Sequence, residues 1–448
     1  IAEMKVLRAH YYFELSRLFN KIPYFDENVE ISQYPDIPNN EFTRDEILSM
    51  LAKEMLDAAE QLPASQPEVG RIHKYIALAY AAKIKLYQAY QQDEITHAVT
   101  SINKELLREV VSLCDQVTAS NRYGLLDDFQ GLDLVANENG KESVFAIQYS
   151  MNDGTESAGR INWSNLLNSP GGGSPYGGDG FFLPSQDLIN AYQTDANGLP
   201  DFNYQSKSDY SWAVLNNGVY TLQNTTPNVD PRLDFVVGRP TITWKTYPDK
   251  PCEGWVRDKE TYGYNCAKRF WVSPESSDMF NGWPWGASQL NWQIIRYADI
   301  LLWKAEALIE LNEGNGLETA RDLINQIRNR ARNSAYVKDF NDHSNYAANY
   351  LVNPYPADVW NQDYARQALR WETRLEKALE GERFFDLVRW GIVETTMNNY
   401  ITAESDNRIY YANAHFTGGK DEYYPVPNNQ YGFSGGKYVQ NPGYAPFN

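Results

Sequence analysis

The chain has 448 residues, of which 42% are hydrophobic and 22% charged, as in globular proteins and unlike disordered or collagen-like chains. Its formal net charge of -18 repels phosphate backbones and argues against nucleic-acid binding, and no apolar run is long enough to span a bilayer. The aromatic share of 14% exceeds what a core of this size needs, so we expect some rings to face water or a ligand.

Apolar residues spaced three and four apart predict helices throughout the first part of the chain. The predicted helices cover about Met4–Leu18, Thr43–Leu62, Ile72–Tyr87 and Leu107–Val117. Thr43 and Glu46 have the spacing of a capping box, and Cys114 lies on the apolar stripe of the fourth helix, which indicates a core residue. The first helix has no capping residue before it, so we expect that a leading segment is missing.

The middle of the chain has a different composition. Residues 150–292 are rich in Gly, Pro, Asn, Asp and Trp, and we expect mostly long ordered loops, which are usually functional in a compact chain. Short strands are predicted at Glu142–Gln148 and Lys268–Val272, and a short helix at Ser185–Gln193. Cys252 and Cys266 in this stretch form either a disulfide or two unpaired thiols, and the sequence leaves both open.

Helical periodicity returns at the end, where Ile295–Leu311 and Leu317–Arg332 are predicted to form a tight pair. A further helix is predicted at Tyr364–Leu379, followed by a helical turn with Phe384, Phe385, Leu387 and Trp390. The predicted fold is mainly α, with tetratricopeptide-like helix pairs, a large loop-rich and Trp-rich region, and few short strands. We expect one domain with an N-terminal helical part (1–120), a variable part (121–292) and a C-terminal helical part (293–448).

Several stretches, in order along the chain, resemble the motifs of the SusD/RagB family. They are Arg8–Leu15 with Phe19–Tyr24, Gly70–Arg71 with Ala77–Tyr87, Tyr123–Phe129 with Asn139–Gln148, Asp230–Leu233, Ile295–Leu302 with Ala305–Ala307, Glu380–Trp390, and Tyr424–Pro427 with Asn441–Tyr444. Each motif alone is weakly specific, but the ordered series is strong. Residues 150–292 match only at Asp230–Leu233 and Tyr264–Phe270.

The resemblance implies a lipid-anchored protein on the outer surface of the outer membrane of a Gram-negative bacterium. Such proteins are not enzymes: they bind nutrient oligomers, generally glycans, and sit over a TonB-dependent transporter of the SusC type. The implied partners are therefore that transporter and an oligosaccharide or polysaccharide. Membrane contact would be only through an N-terminal lipid anchor that this chain does not contain. The family's helices form four tetratricopeptide-like pairs, and its loops carry the ligand surface.

The charged motif residues are interpreted as ion-paired scaffolding rather than catalytic groups. They are Arg296, Asp299, Glu306, Arg370, Glu372, Arg374, Glu376, Glu380, Arg383, Asp386 and Arg389. A glycosidase needs a carboxyl group with a raised pKa, whereas a neighbouring Arg lowers a carboxylate pKa. The five histidines are scattered without a zinc motif, and no complete calcium loop occurs, so no cofactor or metal is expected.

The candidate ligand surface consists of aromatic rings, because a flat ring covers the C–H face of a sugar while polar groups bind its hydroxyls. Trp283 and Trp285 are the first candidates, since Pro284 between them restricts the backbone, and Asn281 lies beside them. Trp255 and Tyr262 belong to the same aromatic-rich stretch. Trp163, Tyr176 and Asp179 form a second candidate patch with the Gly171–Gly180 loop, while Trp271 is expected to be buried.

Three other functions remain open at this point. The same scaffold could capture oligopeptides, as in the RagB branch, but a peptide site would need hydrogen-bonding backbone edges more than stacking platforms. A secreted glycosidase would use the many acids and aromatics, against the Arg-partnered carboxylates. A helical-repeat adaptor would have no small-ligand site, which the large loop region disfavours.

Overall fold

The computed structural model describes residues 1–155, 159–163, 168, 171, 173–210, 213–216, 219–222, 227–248, 252–282 and 285–447. Helix is the main element, as predicted, and strands are few and short. The helices in these ranges are α1 (Ala2–Phe19), α2 (Arg44–Gln61), α3 (Lys74–Ala89), α4 (Lys104–Ala119), α5 (Gln186–Ala191), α6 (Arg232–Val236), α7 (Lys259–Tyr262), α8 (Tyr297–Leu311), α9 (Gly316–Asn333), α10 (Gln362–Glu376), α11 (Arg383–Arg389), α12 (Val393–Ser405) and α13 (Asn428–Phe433). Not one of the helices described here has the length and apolarity needed to cross a membrane.

The long helices form one row in which each packs against its neighbour. Helix α1 packs on α2, α2 on α3, α3 on α4, α4 on α8 and α8 on α9, while α10 lies against both α8 and α9. Ala77, Ala81 and Ala82 of α3 are fully buried, and their small side chains allow α2 and α4 to approach closely. Because α4 contacts α8 directly, the loop-rich middle of the chain is an insertion between two neighbouring helices of this row.

The strands of the described residues form two-stranded antiparallel ladders. The pairs are β1 (Tyr90–Gln92) with β2 (Val99–Ile102), β3 (Ser143–Ile147) with β10 (Trp292–Arg296), β4 (Gln193–Thr194) with β7 (Asn228–Val229), β5 (Ala213–Asn216) with β6 (Val219–Leu222), and β8 (Val237–Gly238) with β9 (Cys266–Ala267). In the β3–β10 ladder Trp292 lies opposite Ile147 and Arg296 opposite Ser143. The chain segments that begin and end the variable region therefore lie side by side.

Most predicted helices are confirmed, with small shifts at their ends. Thr43 caps α2 as expected: its backbone N donates to Glu46 Oε2 (2.8 Å), and Glu46 N donates to the Thr43 hydroxyl (3.3 Å). Cys114 is fully buried in the core between the helices. The helix predicted from Ile295 begins at Tyr297, because the preceding residues pair as β10.

The strand predicted at Lys268–Val272 is wrong, since the ladder at this point contains only Cys266–Ala267. Lys268 turns into the interior instead, where its ammonium donates to the carbonyls of Asp234 (2.7 Å) and Thr243 (2.8 Å). The Arg269 guanidinium is also buried and donates to Asp133 (3.1 Å). The two charged residues of this stretch are thus buried with polar partners.

Buried ion pairs join the inserted region to the helical row, and Arg296 is at their centre. Its Nη1 lies 2.9 Å from Glu142 and 2.8 Å from Glu376, and its Nη2 lies 2.8 Å from Glu380. Glu142 precedes β3, whereas Glu376 ends α10 and Glu380 follows it, so one guanidinium connects three separate segments. All four side chains are almost completely buried.

Further arginines extend this network in both directions. Arg269 joins Glu380 (3.2 Å) to Asp133 in the inserted region, and Arg232 joins Glu376 (3.2 Å) to Asp230 (2.7 Å). Other buried pairs are Arg330–Glu142, Arg330–Glu376, Arg328–Glu372, Arg232–Glu372, Lys377–Asp299 and Arg389–Glu306. Most of the motif charges interpreted as ion-paired scaffolding, Arg296 and Glu376 among them, thus do form buried ion pairs.

The partners of these acids lie mostly on other elements, not three or four residues away along the same helix. Burial alone would raise the pKa of Glu376, but the guanidinium groups of Arg330, Arg296 and Arg232 outweigh it and lower that pKa to about 2. Asp386 is an exception to the expected lowering. Burial raises its pKa to about 6 although Arg389 pairs with it at 3.0 Å.

Replacing the central arginine should destabilise the whole fold. Arg296→Gln leaves several buried carboxylates short of a cation, so we expect the free energy of unfolding to fall by about 3–5 kcal/mol in urea titrations. The matched control is Lys53→Gln, which removes an exposed pair with Asp57 and should leave stability essentially unchanged. Equal stability of Arg296→Gln and the wild type would contradict this role.

Candidate functional site

A small aromatic core lies under the inserted loops. It contains Tyr176, Trp244, Trp255 and Trp271, with Trp244 and Trp255 ring centroids 5.1 Å apart in an edge-to-face arrangement. Tyr176 is completely buried: its hydroxyl donates to the carbonyl of Val272 (2.6 Å) and accepts from Trp244 Nε1 (2.9 Å). Buried Tyr and Trp side chains are stable where their polar atoms have such partners.

Two predicted ligand residues therefore belong to this core, and their assignment as ligand contacts is wrong. Tyr176 has no exposed surface and Trp255 is only 2% exposed, because both rings pack against Trp244. The expected burial of Trp271 is confirmed at 2% exposure. These aromatic side chains thus belong to a core under the loops that is separate from the core between the helices.

Cys252 and Cys266 form a disulfide, one of the two possibilities that the sequence left open. Their Cα atoms are 6.1 Å apart, and both side chains are buried in the aromatic core. The bridge closes residues 252–266 into a loop, which we call the disulfide loop. This loop contains Trp255 on its buried side and helix α7 with Tyr262 on its outer side.

Residues 279–288 form a second loop whose two ends are held together. Met279 and Ser288 form an antiparallel bridge, and Phe280 N donates to the carbonyl of Ala287 (2.8 Å). Of the described residues between these two ends, Trp285 presents 54% of its surface to solvent. Asn281 is exposed in the same loop. Both predicted residues are therefore accessible.

The glycine-rich loop packs directly beside this loop. Gly171 and Gly177 form an antiparallel bridge. The side chain of Tyr176, just before Gly177, points into the aromatic core. A Cβ atom at Gly286 would lie 2.6 Å from the carbonyl oxygen of Tyr176, and Gly286 has a positive φ of 79°, so only glycine fits there. The close approach keeps Trp285 against Gly177 at the surface.

Trp163 joins the same surface through the backbone of its neighbour. Asn162 N donates to the carbonyl of Ser288 (2.9 Å), and Asn162 Nδ2 donates to the carbonyl of Leu290 (3.3 Å). These bonds place Trp163 next to the base of the 279–288 loop. Its side chain is 47% exposed, so it remains a candidate ligand contact.

A charged pair completes this surface. Asp179 Oδ1 lies 3.1 Å from Arg257 Nη2, and the same Nη2 donates to the carbonyl of Gly178 (2.9 Å). Both side chains remain largely exposed, so their outer polar atoms can bind ligand hydroxyls. We call the surface formed by Trp163, Asp179, Arg257, Asn281 and Trp285 the indole shelf. The two patches predicted separately thus meet here, and Arg257 is the member that sequence reasoning missed.

Besides Tyr176 and Trp255, two more predicted residues do not belong to the described shelf. Tyr262 is 46% exposed but lies on α7, where its ring centroid is 6.0 Å from that of Tyr410. Trp283 lies outside the described residues, so its role stays a prediction.

A separate cleft of about 790 Å³ lies between residues 126–141 and residues 268–278. The described residues that line it are mostly charged and polar, and Phe235, which is 2% exposed, is the only aromatic side chain among them. The cleft therefore lacks a flat surface on which a ring could stack. Among the residues that the structure describes, no group of three His, Cys, Asp or Glu side chains could hold a metal ion.

One carboxyl group near the variable loops has the raised pKa that an acid catalyst would need. Burial raises the pKa of Glu138 to about 7. Its Oε1 accepts the backbone N–H of Asn291 (2.5 Å), and it is not among the residues that line the cleft. Glu138 thus contacts the segment that leads into β10. Among the five residues of the indole shelf, Asp179 is the one that carries a carboxylate, so the shelf itself has no carboxylate pair.

Comparison with known proteins agrees with the expected family. The SusD family model matches residues 141–444, which is more than half of the chain, and the chain belongs to this family. A SusD-like protein of Bacteroides ovatus is 22% identical over 409 residues, covering 87% of this chain and 58% of that protein. SusD-like protein P2 of Formosa agariphila is 25% identical over 394 residues, covering 87% of this chain and 64% of that protein.

The chain thus spans about three fifths of the length of these curated relatives. Solved structures share its fold at low identity. A SusD superfamily protein from Bacteroides vulgatus has a TM-score of 0.67 at 20% identity, with 99% of this chain and 77% of the other covered. A laminarin binding SusD-like protein has a TM-score of 0.58 at 21% identity, with 99% and 78% covered. Surface glycan-binding protein A from Bacteroides uniformis has a TM-score of 0.61 at 19% identity, with 98% and 77% covered.

Opening the disulfide should destabilise the loops of the shelf. The bridge closes a loop between residues fourteen positions apart, and a closed loop of this length is worth about 3 kcal/mol of unfolding free energy. We expect the Cys252→Ser/Cys266→Ser variant to unfold at lower urea concentration and to be cleaved faster by protease within residues 252–266. The wild type under reducing conditions should lose the same stability, and no loss in either case would contradict the bridge.

Proposed function

We propose that this protein is a non-catalytic, cell-surface glycan-binding protein that captures oligosaccharides or polysaccharides for uptake. The observation that carries the proposal is the indole shelf, where adjoining loops present two half-exposed indole side chains and an exposed carboxylate–guanidinium pair. Indole faces match the C–H faces of sugar rings, and Asp179 and Arg257 supply an acceptor and donors for hydroxyl groups. The names of two structural neighbours, a laminarin binding protein and a surface glycan-binding protein, support the same ligand class.

The delivery step belongs to the same proposal. We infer that the bound glycan passes to a SusC-like TonB-dependent transporter, and that an N-terminal lipid anchor holds the protein at the outer membrane. Both inferences rest on membership in the SusD family. Pull-down of the protein from outer membranes would test both: recovery of such a transporter would support them, and its absence would contradict the delivery step.

The shelf favours a glycan over an oligopeptide. A peptide that adds to a sheet needs an exposed strand of several residues, but the strands described in the inserted region are only two to five residues long. The shelf offers indole faces and separate polar groups instead. A peptide ligand would therefore have to bind mainly through side chains.

A hydrolytic activity has less support. A glycosidase requires two carboxyl groups on either side of the bond that it cleaves, and the shelf contains one, Asp179, paired with Arg257. Prolonged incubation with polysaccharides should leave their chain length unchanged. Shorter products, abolished by Glu138→Gln, would replace this proposal with a catalytic one.

Removing the two indoles should abolish most of the glycan affinity. Each stacked ring contributes about 0.5–1.5 kcal/mol, so Trp163→Ala/Trp285→Ala should weaken binding about 5- to 150-fold in isothermal titration with the best ligand from a glycan array. Phe433→Ala is the matched control, because Phe433 is 55% exposed on α13 and outside the shelf. Unchanged affinity of the double variant would show that the shelf is not the site.

A further inference from the structure

A second exposed aromatic surface lies on the outer side of the disulfide loop. The rings of Tyr262 and Tyr410 have centroids 6.0 Å apart at an angle of 42°, and the two side chains are 46% and 50% exposed. Tyr410 in turn packs on Tyr411 at 4.6 Å, and the Tyr411 hydroxyl lies 2.9 Å from that of Tyr400 on α12. Tyr410 is therefore supported from behind by two half-buried tyrosines, Tyr411 and Tyr400, the second of which belongs to α12.

A guanidinium group lies at the edge of these rings. Arg408 packs on the backbone of Gly263, where a Cβ atom would lie 2.1 Å from its Nη2. Gly263 also has a positive φ of 77°, so its glycine is needed both for the turn after α7 and for the approach of Arg408. Arg408 Nη1 donates to the carbonyl of Asn407 (2.6 Å), which leaves other donors of the group for a ligand.

We propose that Tyr262, Tyr410 and Arg408 form a second carbohydrate contact, the tyrosine platform, and that one extended glycan spans it and the indole shelf. The inference rests on the proposed function and concerns the length of the ligand. Two rings and a guanidinium provide the same chemistry as the shelf: faces for sugar C–H groups and donors for hydroxyls.

The disulfide loop connects the two surfaces. Arg257 of the shelf and Tyr262 of the platform are five residues apart in this loop, a distance that cannot exceed about 18 Å even for an extended chain. Helix α7 shortens it further, because Lys259–Tyr262 is helical. The bridge between Cys252 and Cys266 restrains the loop that carries Arg257 and Tyr262.

A glycan that binds one surface has a high effective concentration of its free end near the other surface, and this raises its affinity. Once one end is bound, the second contact becomes intramolecular, so affinity for a long chain exceeds that for a short one without any new kind of contact. The platform should therefore affect binding of polymers and not of short oligosaccharides that fill the shelf alone.

The experiment uses affinity electrophoresis in gels that contain laminarin, xylan, pullulan or galactan, together with titration of the trisaccharide of whichever polymer retards the wild type. Tyr262→Ala/Tyr410→Ala should weaken binding of that polymer about tenfold and leave binding of the trisaccharide unchanged. Tyr262→Phe/Tyr410→Phe keeps both rings and should bind the polymer like the wild type. Gly263→Ala, which displaces Arg408, should also reduce polymer retardation.

The outcomes separate this inference from the proposed function. If the alanine pair binds the polymer like the wild type while Trp163→Ala/Trp285→Ala loses it, the platform is no glycan contact and the proposed function stands. If the alanine pair weakens the trisaccharide as much as the polymer, the two surfaces are not successive contacts. If none of the polysaccharides retards the wild type, the glycan function and this inference are both contradicted for these probes.

Discussion

The buried charge network around Arg296 is the constraint on which the rest of the structure depends. A guanidinium removed from water is costly unless anions surround it, and here the carboxylates of Glu142, Glu376 and Glu380 do so. Any rearrangement that separates Glu142 from Glu376 would leave buried charges unpaired. The network therefore fixes where the inserted region leaves and re-enters the helical row.

That constraint explains how a row of helices can contain such a long insertion. Helices α4 and α8 are neighbours in space although the inserted region separates them along the chain, and the β3–β10 ladder joins the two ends of that region. Arg269 and Asp133 continue the ion pairs into the loops, and the disulfide and the aromatic core around Trp244 stabilise the outer part. The loops thus have a structure of their own, so exposed rings at their tips lose little conformational freedom on binding.

The sequence predicted what local patterns determine, and it failed where partners come from far along the chain. The capping box at Thr43 and the apolar stripe with Cys114 are local signals, and both are confirmed. Aromatic composition says nothing of the direction in which a ring points, so Trp255 was assigned to the ligand surface although it packs on Trp244. Helix α12 was missed because few of its side chains are buried, which leaves only a weak apolar stripe.

In the candidate site, too, local features were predictable from the sequence, whereas contacts between distant segments were not. Exposure of Trp163, Trp285 and Asn281 agrees with their prediction as surface residues, but only the fold reveals that the two patches adjoin. Arg257 carried no signal in the sequence, since its role depends on Asp179 and Gly178, almost eighty residues earlier in the chain. Because the site is assembled from the tips of separate loops, its residues have no fixed spacing along the sequence that would define a motif.

The central claim is that the frame is rigid and that rings on its loops bind a carbohydrate without altering it. The most direct measurement is a crystal structure with an oligosaccharide chosen by glycan array. We expect an intact ligand with a sugar ring stacked on Trp285 or Trp163 and a hydroxyl bonded to Asp179 or Arg257. An ordered sugar bound elsewhere, with the indole shelf empty, or a ligand cleaved in the crystal, would contradict it.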